Sequence, residues 1–204
     1  MASLFPIFLK LERRRVLVVG AGNIAEHKLN GLLQAGADIH VVAPQASELV
    51  RQLANKGQLR WSQREYASVD LSGVVIAVAA TGDPVVNDRV YRDADEQGVL
   101  CNAVDEPDRC HFYYPAVVQR GDLQIAISTA GHSPALAQRI RKELEDRFDV
   151  GYGEWLSWLG GVRRYLFGRP IDPQRRRSVL HRIARADVYD NYRRVRASRS
   201  GVGQ

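Results

Sequence analysis

The stretch Val16-Leu17-Val18-Val19-Gly20-Ala21-Gly22-Asn23-Ile24-Ala25 constrains this chain more than any other. Four apolar residues make a buried strand, and Gly-x-Gly-x-x-Ala then turns it directly into an amphipathic helix. In that geometry Gly20 permits a tight turn and Gly22 lets the backbone approach a pyrophosphate. Ala25 is small enough for the helix and strand to pack closely. The first N–H groups of the helix have no intrahelical partner and carry the positive end of its dipole, so they suit a phosphate. A glycine pattern alone is weak. With a readable strand before it and a helix after it, the pattern points to a nicotinamide dinucleotide.

The residues up to about 104 alternate strand and helix patterns. Residues 8–19 read as two short strands joined by a basic turn at Glu12–Arg15. Residues 25–34 read as a helix whose inner face carries Ile24, Lys28, Leu29, Leu32 and Leu33, stopped at Gly36. A strand over 37–42, closed by Pro44, a helix over 47–56 and a strand over 59–66 follow. Val74-Val75-Ile76-Ala77-Val78-Ala79-Ala80 is almost purely apolar, as a central parallel strand covered on both faces must be. A helix over 84–97 and a strand over 99–104 complete the series. Repeated β-α-β units predict an α/β fold with a Rossmann-type, doubly wound parallel sheet.

After Pro107 the pattern changes. Two strand-like runs, 112–118 and 123–129, flank Gln119-Arg120-Gly121-Asp122, a hairpin turn. Ser133 and Pro134 then start a helix as N-cap and first-turn proline. Its apolar face is Leu136, Ile140, Leu144 and Phe148. One hairpin and one amphipathic helix enclose little core, which predicts pairing with a second copy. From Gly151 come Trp155, Trp158, Leu159, Tyr165, Leu166 and Phe167, then a loop at 168–173 and an arginine-rich helix to about Arg196. Residues 198–204 are expected to be disordered. Three regions result: a sheet domain over 1–111, a hairpin-plus-helix segment over 112–150 and a basic helical region over 151–204.

The net charge of +6 is unevenly placed: residues 155–204 hold 12 arginines against Asp172, Asp187 and Asp190. Such a tail suits a polyanionic partner or forms a solvated helical face. Cys101 and Cys110 suggest neither a Cys-x-x-Cys motif nor a disulfide framework, and a reducing cytoplasm is the simplest compartment. The apolar opening Leu4-Phe5-Pro6-Ile7-Phe8-Leu9 lacks a basic lead and is far short of the ~20 residues of a membrane helix. It reads as a folded strand, and no membrane association is expected.

Ligands of an open α/β sheet bind beyond the carboxyl ends of its strands. That rule selects Thr81, after the fourth core strand, and Asp105, at the tip of the fifth. A nicotinamide accepts a hydride, but oxidising a saturated carbon pair also releases a proton, and Asp105 is placed to take it. Partial burial is expected to raise its pKa; the alternative role is a cap or turn former ahead of Pro107. The acid that often holds the adenosine ribose about 20 residues beyond the glycines is missing: Val42-Ala43-Pro44-Gln45-Ala46-Ser47 has none. Backbone groups, Gln45 or Ser47 must serve, and the lack of an arginine there argues against NADP. Cys110 and His111 have no partners at ligand spacing, so no resident metal is expected. His27 and His40 read as surface residues, Trp155 and Trp158 as a helix core face, and His132 as a possible ligand contact in a glycine-serine turn.

Taken together, the segments at 16–25, Val-Val-Ala-Pro at 41–44, Ala-Ala-Thr at 79–81, Cys-Asn-Ala-Val-Asp at 101–105, Pro-Ala at 115–116 and Ser-Thr-Ala-Gly-His-Ser-Pro-Ala-Leu-Ala at 128–137 fall in one order. They resemble the dehydrogenase/ferrochelatase module of siroheme synthases in its free-standing form, strongly over about 3–150 and loosely in the tail. The resemblance implies NAD-dependent oxidation of precorrin-2 to sirohydrochlorin and, as in many members, insertion of ferrous iron as a substrate to give siroheme. It also implies a homodimer with a central dimerisation segment and a helical C-terminal region. By position, Asn23 and Ile24 would meet the pyrophosphate region, Pro44 and Gln45 the adenosine side, and Asp105 the family's aspartate implicated in both reactions. Thr129 stands where some members carry a phosphorylated serine. No methyltransferase region follows in these residues, so precorrin-2 would come from a separate enzyme. The substrate is a polycarboxylate, and Arg139 and Arg141, with tail arginines and His132, are the residues expected to hold it. Two alternatives are a dehydrogenase without chelatase activity and, in a different class, a non-catalytic dinucleotide sensor that binds nucleic acid through the tail. No recognition motif supports nucleic acid as a partner.

Overall fold

The computed structural model describes residues 4–200, and their side chains through residue 196. The chain divides into two compact units, 1–114 and 115–204.

The first unit is a parallel sheet of five strands: β1 (Arg15–Val19), β2 (Asp38–Val42), β3 (Arg60–Ser62), β4 (Val74–Ala79) and β5 (Leu100–Ala103). Their spatial order is β3-β2-β1-β4-β5, with every neighbouring pair parallel. Each crossover between parallel strands needs a covering segment: α1 (Asn23–Gln34), α2 (Glu48–Asn55) and α3 (Pro84–Glu96) supply three of the four, and the β3-to-β4 crossover holds only the short 3-10 turn Ser68–Leu71. β1 is buried from Val16 to Val19 and β4 from Ile76 to Ala79, where helices cover both faces, while Val75 near the start of β4 is exposed. On one face Val16, Val18, Ile76 and Val78 pack with Ala25, Leu29 and Leu32 of α1. On the other, Leu17, Val19, Ala77 and Ala79 pack with Val90 and Ala94 of α3. Strand order reverses between β1 and β4, and ligands of such sheets bind at that reversal. The Rossmann-type architecture expected from the sequence is present.

Four expectations need correction. Residues 4–14 form no strand ahead of β1, and Phe5, Ile7 and Phe8 are exposed. This run finds no neighbouring strand to complete a ladder, and Pro6 has no N–H to donate to one. The strand expected over 59–66 is confined to Arg60–Ser62. After it Arg64 N bonds Ser62 O at 2.9 Å and bends the chain away. The single arginine-rich tail helix is two helices, α6 (Pro173–Ile183) and α7 (Ala186–Ser200). The break lets α7 bring Tyr189 back among Tyr152 and Trp155, with ring centroids 4.0 and 5.0 Å away. Residues 198–200, expected to be disordered, belong to α7; residues 201–204 lie outside the described residues.

The second unit opens with the antiparallel hairpin β6 (Ala116–Arg120) and β7 (Leu123–Ile127), turned at Gly121, whose φ is 57°. Ser133 caps α4 (Pro134–Arg147) as read from the sequence, its hydroxyl accepting from Leu136 N at 3.2 Å. The far end of α4 leaves carbonyls without helical partners. Arg120 supplies donors to two of them, Phe148 O at 2.7 Å and Glu145 O at 3.2 Å. The next helix, α5 (Gly151–Phe167), buries Trp155 but leaves Trp158 exposed, so only one of the two tryptophans is core. Asp149, just ahead of α5, accepts hydrogen bonds from Gly151 N, Tyr189 Oη and Arg193. That clasp holds α7 against the start of α5.

Candidate active site

Backbone bonds carry the sheet past its strand ends and build a rim there. Gly20 N donates to Val42 O at 2.9 Å, Ala80 N to Val19 O at 2.8 Å, Val104 N to Ala79 O at 3.0 Å and Ser47 N to Ala21 O at 3.0 Å. Gly20 adopts φ 102°, and a Cβ there would lie 2.4 Å from Ala80 O, so only glycine fits. Gly22 is different: its φ is ordinary, and a Cβ would meet nothing within 4 Å. The space over it is open to a ligand. Gly22 caps α1 without any side-chain bond, so the helix offers its first amides, those of Asn23, Ile24 and Ala25, to that space. Gly22, Asn23 and Ile24 are exposed, while Ala25 is fully buried against the sheet. An uncapped first turn, a close-packed glycine and an open glycine fit a dinucleotide pyrophosphate. Pro44 and Gln45 are exposed beyond β2.

Thr81 lies beyond β4 and is held by a residue that sequence reasoning missed. Asn87, on the inward face of α3, is buried at 5% exposure. Its Oδ1 accepts from Thr81 N at 3.2 Å and from Thr81 Oγ1 at 2.7 Å, and its Nδ2 donates to Thr81 O at 3.2 Å. A polar residue in register with Val90 and Ala94 was the available signal.

Asp105 is exposed just beyond β5, with φ 64°. The partial burial expected of it is not found. A non-glycine residue in the left-handed region is strained and persists only where its surroundings fix it. Here the following loop is pinned on both sides. The Cys110 thiol donates toward Ala103 O (3.1 Å) and Glu106 O (3.3 Å), Asn102 Nδ2 donates to Phe112 O (2.8 Å), and Arg109 bridges Asp88 of α3 (2.7 Å) and Glu106. His111 accepts from Cys101 N at 3.0 Å through Nδ1 and meets Asp95 at 3.1 Å through Nε2. Cys110 and His111 are thus loop fasteners, and among the described residues no three His, Cys, Asp or Glu side chains are grouped to hold a metal.

Lys28 was read as part of the inner face of α1, but its role is less simple. It is half-buried, with Nζ 4.1 Å from the centroid of the Tyr114 ring. Burial lowers its pKa, opposed by the charges of Asp105 and Cys110. Burial pushes the Cys110 thiol up, opposed by the Ala103 carbonyl bond and by Lys28. Asp105 therefore sits within the electrostatic reach of an ammonium on the dinucleotide helix. His40 is not a free surface residue either; it bonds Ser62 Oγ at 2.9 Å.

Gly20, Gly22, Asn23, Ile24, Ala25, Pro44, Gln45, Thr81 and Asp105 all fall on this rim or in the turn beneath it. His132, Arg139 and Arg141 belong to the second unit. His132 is exposed in the turn before α4, its N–H donating to Thr129 O at 2.9 Å; Thr129 Oγ1 accepts from Ser133 N at 3.3 Å. Arg139 pairs with Glu143 at 2.8 Å, and Arg141 with Glu145 at 2.5 Å. Both arginines are engaged along their own helix. Among the described residues no helix is long and apolar enough to cross a membrane.

Comparison with known proteins identifies the family. A family described as "Putative NAD(P)-binding" matches residues 7–116, and one described as "Sirohaem biosynthesis protein central" matches residues 120–147. The siroheme synthase of Azotobacter vinelandii is 45% identical over 159 residues, covering 78% of this chain and 33% of that protein. That of Chromobacterium violaceum is 37% identical over 186 residues, covering 91% of this chain and 40% of that protein. The chain thus spans well under half the length of these curated relatives. The solved structure of SirC, precorrin-2 dehydrogenase, superposes with a TM-score of 0.81 at 34% identity, covering 91% of this chain and 92% of that one.

Proposed function

This chain belongs to the family of the siroheme synthase N-terminal module, and on that premise we propose that it oxidises precorrin-2 to sirohydrochlorin with NAD. The observation that carries this reading is the exposed Asp105 carboxylate on the same rim as the uncapped start of α1. Bound there, NAD supplies the acceptor for the two electrons that leave the substrate as hydride. The chain's own residues do the rest. The amides of Asn23, Ile24 and Ala25 hold the pyrophosphate, Pro44 and Gln45 flank the adenosine, and Thr81, fixed by Asn87, borders the dinucleotide. Asp105 accepts the proton released as the carbon centre is oxidised, from a backbone position that the pinned loop keeps aimed outward.

The finer reading adds a second reaction. Ferrous iron enters the sirohydrochlorin ring as a substrate, and Asp105 takes up pyrrole N–H protons as it does so, giving siroheme. The polycarboxylate tetrapyrrole is held by arginines, Arg139 and Arg141 among them, with His132 nearby on the same unit. A second copy of the chain is the partner of the hairpin-plus-helix segment over 112–150, where Val117 and Leu136 are exposed. The cytoplasm suits the two free thiols, Cys101 and Cys110. SirC is a precorrin-2 dehydrogenase, and likeness to it keeps a chelatase-free enzyme as the second reading.

One experiment separates them. Pure protein is given NAD and precorrin-2, then ferrous iron, and the absorption spectrum is followed. Sirohydrochlorin formed with reduction of NAD supports the dehydrogenase, and conversion to siroheme faster than without protein supports the chelatase. No NAD reduction would refute the assignment.

A further inference from the structure

The loop that carries Asp105 leaves β5 on the α1 side of the sheet. Val104 and Phe112, which flank that loop, pack against the apolar cluster that holds Ala25, Leu29 and Leu32 of α1. The Phe112 ring lies 5.5 Å from the Tyr114 ring, and the Lys28 ammonium of α1 sits over Tyr114 at 4.1 Å. Residues one turn away from Lys28 on its own helix, Ile24, Ala25, Gly31 and Leu32, carry no charge. From the loop and the segment after it, Lys28 is faced by Asp105, Cys110 and Tyr114. Burial pushes the Tyr114 phenol up to about 12, and it pushes the Cys110 thiol up as well. The Asp105 carboxylate is left as the anion that this ammonium faces. An ammonium has three donors. Among the described residues, none of those on Lys28 is taken by a hydrogen bond or a close ion pair.

We propose that Lys28 is a positioning residue for the proton acceptor: its ammonium holds the Asp105 carboxylate toward α1 and keeps it there when a polycarboxylate substrate arrives. The inference rests on the dehydrogenase reading given above. Asp105 is exposed, so packing does not orient its carboxylate. The negative groups of a tetrapyrrole would push that carboxylate aside. A cation on the helix that also presents amides to the dinucleotide opposes the push, and its half-buried place strengthens the pull relative to a pair in bulk water. Tyr114 supports the ammonium through a neutral ring face, which holds the charge without cancelling it. Burial lowers the pKa of Lys28, so its charge is lost at a lower pH than that of an exposed lysine.

Single-turnover mixing of precorrin-2 with the NAD-loaded full chain tests this. In Lys28→Met, reduced nicotinamide forms about tenfold or more slowly, the scale of a displaced reacting group, while NAD affinity stays at the wild-type value. Lys28→Arg keeps the charge and restores most of the rate. On an Asp105→Asn background Lys28→Met brings no further loss, because the group it positions is gone. The wild-type rate falls as pH rises through the lowered Lys28 pKa, and in Lys28→Arg that alkaline fall moves to higher pH. Wild-type speed in a folded Lys28→Met protein, equal slowing in Lys28→Arg and Lys28→Met, or a full Lys28→Met penalty on the Asp105→Asn background overturns the proposal. If Lys28→Met does not fold, the alkaline fall decides, and its persistence unchanged in Lys28→Arg overturns the proposal. A wild type that reduces no NAD removes the dehydrogenase reading and the inference together, whereas wild-type turnover with unmoved Lys28 variants removes the inference alone.

Discussion

In the first unit β1 buries Val16, Leu17, Val18 and Val19 in succession, and β4 buries Ile76, Ala77, Val78 and Ala79; in the second, the hairpin buries Val118 alone. The first unit is held by two continuous apolar layers with a helix on each face. The second is held by an arginine on helix carbonyls, an aspartate clasp and three rings packed around Tyr152. That difference separates two ways of presenting chemistry. Where a covered sheet fixes the backbone, strand ends position amides and one strained carboxylate at a rim. Where helices share a small core, what reaches the surface is side chains, both apolar and guanidinium.

The contrast is broken most severely at Gly20. Gly20→Val forces a Cβ against Ala80 O at a φ hostile to side chains, and should cost roughly 3–5 kcal/mol in urea unfolding and abolish NAD binding. A loss below about 1 kcal/mol would mean that the first unit does not depend on this close approach. Next, Asn87→Leu removes three hydrogen bonds from Thr81 and should cost about 2–3 kcal/mol, weakening dinucleotide binding as the loop loosens. In the second unit, Tyr189→Phe removes the phenol that donates to Asp149, and should cost only about 1 kcal/mol with NAD affinity unchanged. An NAD effect as large as that of Asn87→Leu would erase the division of labour.

Much of the first unit could be read from sequence because a parallel sheet forces consecutive apolar residues and its turns demand glycine. The Ser133 cap was equally local. The dinucleotide residues and Asp105 were reachable through the strand-end rule. What sequence hid was non-local. Arg64 meets Asp70, Lys28 meets the surroundings of Asp105, and Tyr189 meets Asp149 only after folding brings distant segments together. The tail break was hidden for the same reason: no glycine or proline marks residues 184–185, and the burial of Tyr189 rewards it.

Acid distinguishes the units more gently. Asp70 is held below the usual carboxylate range by its bond from Arg64, and Asp149 by its bond from Tyr189, with Arg193 adding to it. Each contributes stability that is complete above the unfolded aspartate pKa, about 3.9, and lost as pH falls through the lower native value. Tyr189→Phe should therefore flatten part of the acid loss while the Asp70 share remains; an unchanged acid profile would show that the clasp contributes little. The smallest effect is expected at Arg139→Gln. The exposed pair with Glu143 is worth at most about 0.5 kcal/mol, so melting should not move while KM for precorrin-2 rises, more so at low salt. An unchanged KM would remove Arg139 from the tetrapyrrole site.

The most direct test of the account is single-turnover mixing of precorrin-2 with NAD-loaded Asp105→Asn and wild-type protein at matched dinucleotide occupancy. The account predicts that NAD binds both alike, while reduced nicotinamide forms about a hundredfold or more slowly in the variant. Reduction at the wild-type rate in Asp105→Asn would contradict it.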